Sequence, residues 1–253
     1  MIIVKNKASL RKMELAGELL ADLFSNLSRV INPGMSTADI DDIVVLELRR
    51  RGLVTKTKGY MGYQHSCCVS VNDEVVHGVP DRKKILQQGD LVKVDICAAL
   101  NGYCADMARC YFVGGQSARV CGDGLVEAAM RALEAGVQKA VPGARLSDIS
   151  AAIQSTVEAA GFGIVRDFAG HGIGRAMHEE PEILNYGEAG KGPILRAGMT
   201  FAIEPMITEH DWKVRVDSDG WTARTVDGGW AAHVEDTIVV TVDGPVFLTR
   251  QKK

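Results

Sequence analysis

Four carboxylates and one histidine are the residues of this 253-residue chain whose types and settings point to chemistry. Asp95 and Asp106 lie in the apolar runs 91–100 and 104–113, Glu204 and Glu235 in 200–207 and 234–242, and each run reads as a β-strand. His171 sits in Ala169-Gly170-His171-Gly172-Ile173-Gly174, where glycines on both sides let the backbone approach a ligand while the imidazole points inward. Acids gathered in a partly buried place repel one another and are costly unless neutralised by protons or cations. Carboxylates on several strands with one imidazole suit a pair of borderline-hard divalent metals. Taken singly, each acid reads as an ordinary surface residue on an alternating strand; what groups them is a repeat.

Pro33-Gly34 recurs as Pro142-Gly143, Asp39-Ile40 as Asp148-Ile149, Gly52 as Gly161 and Gly89 as Gly198, every pair 109 positions apart. Glycine and proline fix backbone geometry, so punctuation shared at one offset marks two copies of one supersecondary unit. The same offset carries Asp95 onto Glu204. The register then shifts to 129, with Gly115 matching Gly244 and Asp106 matching Glu235, which places an insertion near 211–230.

Each copy begins with a helix whose apolar residues recur at helical spacing: Leu15, Leu19, Leu20, Leu23 and Leu27 in the first, Leu125, Ala129, Ala132, Leu133 and Val137 in the second. A Pro-Gly break follows. A second helix then starts near Ser36-Thr37 or near Ser147, with the hydroxyl residue as N-cap, and ends at Gly52 or Gly161 before the β segments. The expectation is a single α+β domain over 1–253, with repeats of roughly 10–118 and 119–250 whose acids meet around a pseudo-twofold axis.

Composition sets outer bounds. With 46% hydrophobic and 24% charged residues the chain reads as a soluble globular protein, and a net charge of -3 gives no field for a phosphate backbone, so no specific nucleic-acid partner is expected. No apolar stretch near the start suits a signal peptide, and none approaches the ~20 residues of a membrane span; no membrane and a cytoplasmic location are expected. The six cysteines (67, 68, 97, 104, 110, 121) form no C-x-x-C pair and read as reduced thiols, those at 97, 104 and 110 as small buried residues rather than a zinc site. The glycine-rich run has neither G-x-G-x-x-G spacing nor G-K-[ST], and H-E-x-x-H is absent.

Six segments carry a resemblance that covers nearly the whole chain: Asn32-Pro33-Gly34-Met35-Ser36-Thr37, the stretch 70–80 around His77-Gly78-Val79-Pro80, Gly170-His171-Gly172-Ile173-Gly174, Met177-His178-Glu179-Glu180-Pro181, Ile203-Glu204-Pro205-Met206 and Glu235-Asp236-Thr237-Ile238-Val239-Val240. The sequence resembles the type I methionine aminopeptidases, of the pita-bread fold shared with prolidase and creatinase. That resemblance implies two pseudo-symmetric α/β halves with a central curved antiparallel sheet and helices on its outer face. It implies two divalent ions (Co²⁺, Mn²⁺, Fe²⁺ or Zn²⁺) held by Asp95, Asp106, His171, Glu204 and Glu235, with Asp106 and Glu235 bridging. A hydroxide between the ions would attack the first peptide carbonyl, and Glu204 would also pass a proton to the leaving amine. His77 would position the scissile amide and His178 would hydrogen-bond the carbonyl or the tetrahedral intermediate. Tyr60, Tyr63, Cys68, Met177 and Trp221 would form a narrow pocket for the thioether side chain. N-terminal methionine peptides and nascent chains are the implied partners, a ribosome contact is compatible with them, and a monomer is expected because little chain precedes Asn32.

The chain departs from the family pattern beside its ligands. Ala105-Asp106-Met107 lacks the usual hydroxyl after the bridging aspartate, Asp236 stands for a histidine, Ala202 for a threonine and Met177 for a phenylalanine. Such neighbours tune metal affinity and rate. His65, His210 and His233 read as surface or packing residues. Two alternatives remain: a prolidase-like or proline-specific aminopeptidase with the same ligands, and a non-catalytic, ribosome-associated binder on the same fold.

Overall fold

The computed structural model describes residues 1–115, 117 and 122–251; Cys121 and the junction of the two repeats at 118–119 lie outside them. Chain order is α1 (Lys7–Val30), α2 (Thr37–Arg50), β1 (Val54–Thr55), β2 (Cys68–Val71), β3 (Glu74–Val76), β4 (Leu91–Leu100), β5 (Tyr103–Phe112), α3 (Gly122–Gln138), α4 (Leu146–Ala159), β6 (Gly163–Ile164), β7 (Ala169–Gly172), β8 (Glu179–Leu184), β9 (Thr200–Ile203), β10 (Met206–Thr208), β11 (Val214–Val216), β12 (Ala223–Thr225), β13 (Ala231–His233), β14 (Glu235–Thr241) and β15 (Gly244–Phe247). The main antiparallel sheet runs β1-β4-β5-β14-β9-β7-β8, with β2 also on β4 and β15 on β14; β13-β10-β6 and β11-β12-β3 form two small sheets.

Strand alternation gives the main sheet two unlike faces. Val92, Val94 and Ile96 of β4 and Ala105 and Met107 of β5 pack under α1 and α2 with Leu20, Leu23 and Leu27. Phe201, Ile203, Ile238 and Val240 pack under α3 and α4 with Leu133 and Val137. Each of these fully buried leucines stabilises the fold by ~1.5–3 kcal/mol. The intervening residues, among them Asp95, Asp106 and Glu235, fall on the opposite face. Helices on one face and acids on the other make this the pita-bread architecture.

The two helix pairs are clasped alike. Gly34 N–H donates to Leu86 O and Gly143 N–H to Leu195 O; Thr37 N–H donates to Lys84 O and Leu146 N–H to Pro193 O. Gly34 and Gly143 both need positive φ, +88° and +90°, which glycine alone adopts freely. Ser36 caps α2 through a capping box with Asp39. In the second half the expectation of Ser147 as N-cap is corrected: the backbone clasp starts α4 at Leu146, Arg145 holds the cap position with Asp148 accepting from its N–H, and Ser147 hydrogen-bonds Lys191.

The strand expected over 200–207 is also corrected. It breaks at Glu204-Pro205, because Pro205 has no N–H to continue a ladder. β9 stays in the main sheet while β10 joins a small one, and Glu204 sits at the corner between them.

Candidate metal centre

The hairpin β4–β5 turns through Asn101 and Gly102, at φ +51° and +77°, and sets Cys97 opposite Asp106 and Asp95 opposite Ala108. β14 brings Glu235 opposite the same Ala108 from the other side. Across β9, His171 of β7 lies opposite Ala202, which in turn faces Thr237 of β14. Asp95, Asp106, Glu235 and His171 therefore share the open face, with Glu204 leaving the end of β9 beside them. The Thr237 hydroxyl accepts from Asp106 N–H at 2.8 Å and donates to Asp106 O at 2.9 Å, locking β5 to β14 between the two acids.

Two donor groups result: Asp106, His171 and Glu235 offer ligand atoms within 4.8 Å of one another, and so do Glu204, His233 and Glu235. Asp95 belongs to neither group but lines the same cleft. His171 Nδ1–H donates to Gly172 O at 3.0 Å, which leaves the Nε2 lone pair facing Asp106 at 3.9 Å and Glu204 at 3.6 Å, the tautomer a metal ligand needs.

Burial raises every acid, and their mutual repulsion adds to it. Burial followed by the charges of Asp106 and Glu204 pushes Asp95 to about 8; burial and the charge of Glu204 push Asp106 to about 7; burial takes Glu204 to about 8; Glu235 rises by burial and then the charge of Asp106. Burial, then the neighbouring His178, lowers His171 to about 3. Glu235 Oε1 is buried without a hydrogen-bond partner among the described residues. Four desolvated carboxylates, an orphaned oxygen and a lone pair aimed among them fit a divalent cation, which neutralises the charge and occupies the vacant donor directions.

A cleft of about 290 Å³ opens on the cluster, and Tyr60, Tyr63, Cys68, Met177 and Trp221 line it with Asp95, Asp106, His171, Glu204 and Glu235. Tyr63 is buried, donating towards Cys67 O and Gly78 O at 3.2 Å, with its ring edge-on to Trp221 at 5.0 Å. Tyr60 is exposed and its hydroxyl lies 2.9 Å from His178 Nδ1. A second groove of about 550 Å³ shares His77, His171, His178 and Glu204 with the first. His77 holds φ +59°, a costly conformation for a residue with a Cβ, as β3 turns into Gly78, and its ring stands edge-on to Phe168 at 5.2 Å.

Three features were not legible beforehand. His233, read as surface or packing, is 1% exposed with Nε2 3.2 Å from Glu204 Oε2; its place two residues before Glu235 was the available signal. The glycines beside His171 serve neighbouring strands rather than a ligand: a Cβ at Gly170 would lie 2.5 Å from Ala202 O and one at Gly172 2.1 Å from Glu180 O. Asp236 is fully buried, yet its carboxylate accepts from Arg109 at 2.6 Å, Thr249 at 2.7 Å and Arg250 at 2.9 Å, while Arg109 also donates to Glu235 O. This ionic cage braces the strand carrying Glu235. A further buried pair, Lys5 Nζ with Glu179 Oε2 at 2.6 Å, ties the first residues to the loop of Met177 and His178, and Glu179 also accepts from Arg175 N–H.

A curled antiparallel sheet presenting four acids and an imidazole on one face defines a metal-dependent hydrolase of pita-bread type. The chain belongs to metallopeptidase family M24, whose sequence profile matches residues 11–242. It is 44% identical to methionine aminopeptidase 1 of Bacillus subtilis over 250 residues, covering 99% of this chain and 100% of that one. It is 42% identical to the methionine aminopeptidase of Clostridium acetobutylicum over 249 residues, covering 98% and 99%. The crystal structure of the methionine aminopeptidase from Thermotoga maritima matches with TM-score 0.96 at 44% identity, over 99% of this chain and 100% of that chain. A prolidase from Pyrococcus furiosus matches with TM-score 0.78 at 22% identity, over 99% of this chain and 66% of that longer chain, and shares the fold alone. Among the described residues no helix is long and apolar enough to cross a membrane.

Proposed function

We propose that this chain removes N-terminal methionine from peptides and nascent proteins in the cytoplasm, using two divalent ions held by Asp95, Asp106, His171, Glu204 and Glu235. The carrying observation is that two cavities meet at the acid cluster and share His77, His171, His178 and Glu204. The smaller, aromatic and thiol-lined cleft suits one unbranched thioether side chain, and the open groove suits the rest of the peptide. When bound, the ions would supply a nucleophile from water at neutral pH and stabilise negative charge on the attacked carbonyl oxygen.

The chain's own residues do the remainder. The Tyr60 hydroxyl lies 2.9 Å from His178 Nδ1, and with the His178 proton on Nε2 that hydroxyl donates to Nδ1 while Nε2–H donates to the carbonyl oxygen. His77, held at the junction of the cavities, orients the scissile amide. Glu204 carries a proton on its carboxylate to the departing amine nitrogen. Tyr63, Cys68 and Trp221 exclude water from the first side chain.

Release of methionine from Met-Ala-Ser and Met-Lys-Ser, with Mn²⁺, Co²⁺, Fe²⁺ or Zn²⁺ in turn and with metal removed, tests this. Metal-dependent cleavage of Met-Ala-Ser is expected. Activity confined to Ala-Pro and proline-containing tripeptides would overturn the methionine assignment.

A further inference from the structure

His233 has no task in the ligand set proposed above, yet the fold spends a buried imidazole there. It ends β13, pairs in register with Met206 of β10, and so sits beside the corner at which Pro205 turns Glu204 into the cluster. Its Nε2 lies 3.2 Å from Glu204 Oε2 without hydrogen-bond geometry, and it finds no other hydrogen-bond partner among the described residues. Two donors sharing one ion at ~2.0–2.2 Å stand roughly 3.0–3.5 Å apart, so this spacing is that of neighbouring ligands. Glu204 turns its other oxygen, Oε1, towards His171 Nε2 at 3.6 Å, and thus spans two imidazoles. Glu235, whose Oε1 is also unpartnered, is common to both donor groups.

We propose that His233 is a metal ligand of this chain, completing with Glu204 and Glu235 a second imidazole-containing donor set beside that of Asp106, His171 and Glu235. The inference rests on the metal-dependent reading of the centre, and not on which peptide is cleaved. Two imidazoles in place of one make the centre softer, favouring Co²⁺, Zn²⁺ and Fe²⁺ over Mn²⁺ relative to an otherwise carboxylate-rich site.

The test measures metal rather than turnover. Equilibrium dialysis of the full chain against Co²⁺ and against Mn²⁺ is compared between the native protein and His233→Gln, which keeps a hydrogen-bond donor but removes the imidazole. Co²⁺ binding at one position is expected to weaken at least ~10-fold while Mn²⁺ binding changes less, and the visible spectrum of the Co²⁺ form should shift. Because the variant could misfold, the native Co²⁺ form gives an independent reading: two histidines, His171 and His233, should show hyperfine-shifted imidazole resonances. Unchanged Co²⁺ affinity and spectrum in His233→Gln, or a single shifted histidine in the native protein, would overturn the proposal and leave His233 a positioning residue for Glu204. A native protein that binds Co²⁺ with two shifted histidines but releases no methionine sinks the substrate assignment alone.

Discussion

The two halves of the molecule share their clasps and differ in how they present their acids. In the first half, Asp95 and Asp106 sit on two ten-residue strands joined by the tight turn at Asn101-Gly102, an uninterrupted hairpin. In the second, Glu204 stands at a proline break and Glu235 follows a junction between β13 and β14, with β11 and β12 inserted between them. Short acids on a rigid ladder need no reach; longer ones compensate for corners. The second half also supplies His171, His178 and His233, and its insertion supplies Trp221. The first half lends the hairpin acids together with Tyr60, Tyr63, Cys68 and His77 of the cleft, and the second lends the imidazoles that join the acids.

Exchanging one cluster acid in each half is the harshest test of that comparison. Asp106→Asn and Glu235→Gln should each lower kcat/KM for Met-Ala-Ser by at least ~10³-fold, with solubility retained. A large loss in one and a loss under tenfold in the other would break the equivalence of the halves. His178→Ala should lower kcat by on the order of 10²-fold with bound metal unchanged on dialysis; loss of metal would make His178 part of the ion site instead.

The pH response of the metal-free protein sharpens the contrast between acids and histidines. Acids raised to about 7 and 8 leave the folded protein holding more protons than the unfolded chain, so their contribution is present at low pH and lost as pH rises through those values. His171 at about 3, and His77 and His233 at about 4, act oppositely, costing stability as pH falls below 6.5. Between pH 6.5 and 8 the acids outweigh the opposing groups, since Lys93, lowered to about 8 by burial, begins to act oppositely only at the top of that range. Thermal unfolding should show a loss on the order of 1 kcal/mol per pH unit there, abolished by saturating Co²⁺. A metal-free stability that is flat or rises over this range would show that the acids are not desolvated together.

The smallest effects lie in the caps. Ser36→Ala removes a side-chain acceptor at the start of α2 and should cost about 1 kcal/mol in urea unfolding. Arg145→Ala, at the equivalent place in α4, should cost under ~0.5 kcal/mol, since Asp148 caps through the Arg145 backbone. Equal costs would erase the distinction between the two starts.

The four acids were legible because glycine and proline punctuation repeats at a fixed offset, and that offset needs no knowledge of packing. The helices were legible from apolar spacing. The break at Pro205 was harder, since apolar residues continue on both sides and only the missing N–H separates the strands. His233 escaped because it lies on β13, a separate strand from the β14 that carries Glu235, and at the 129-residue offset its counterpart is Cys104, which reads as a small buried residue. The cage around Asp236 draws Arg250 from the far end of the chain, and no local pattern could have announced it.

The pairing of Lys5 with Glu179 bears on motion. Chain ends ordinarily open at little cost, but here the fifth residue is tethered by its backbone to Gly198 and by its ammonium to the loop that carries His178. Removing one member of so enclosed a pair typically costs ~3–5 kcal/mol, so the opening of the first residues and the loosening of that loop form a single local unfolding unit. Hydrogen exchange at Arg175, whose amide donates to Glu179, would therefore report on the distant N-terminal segment as one cooperative opening rather than two.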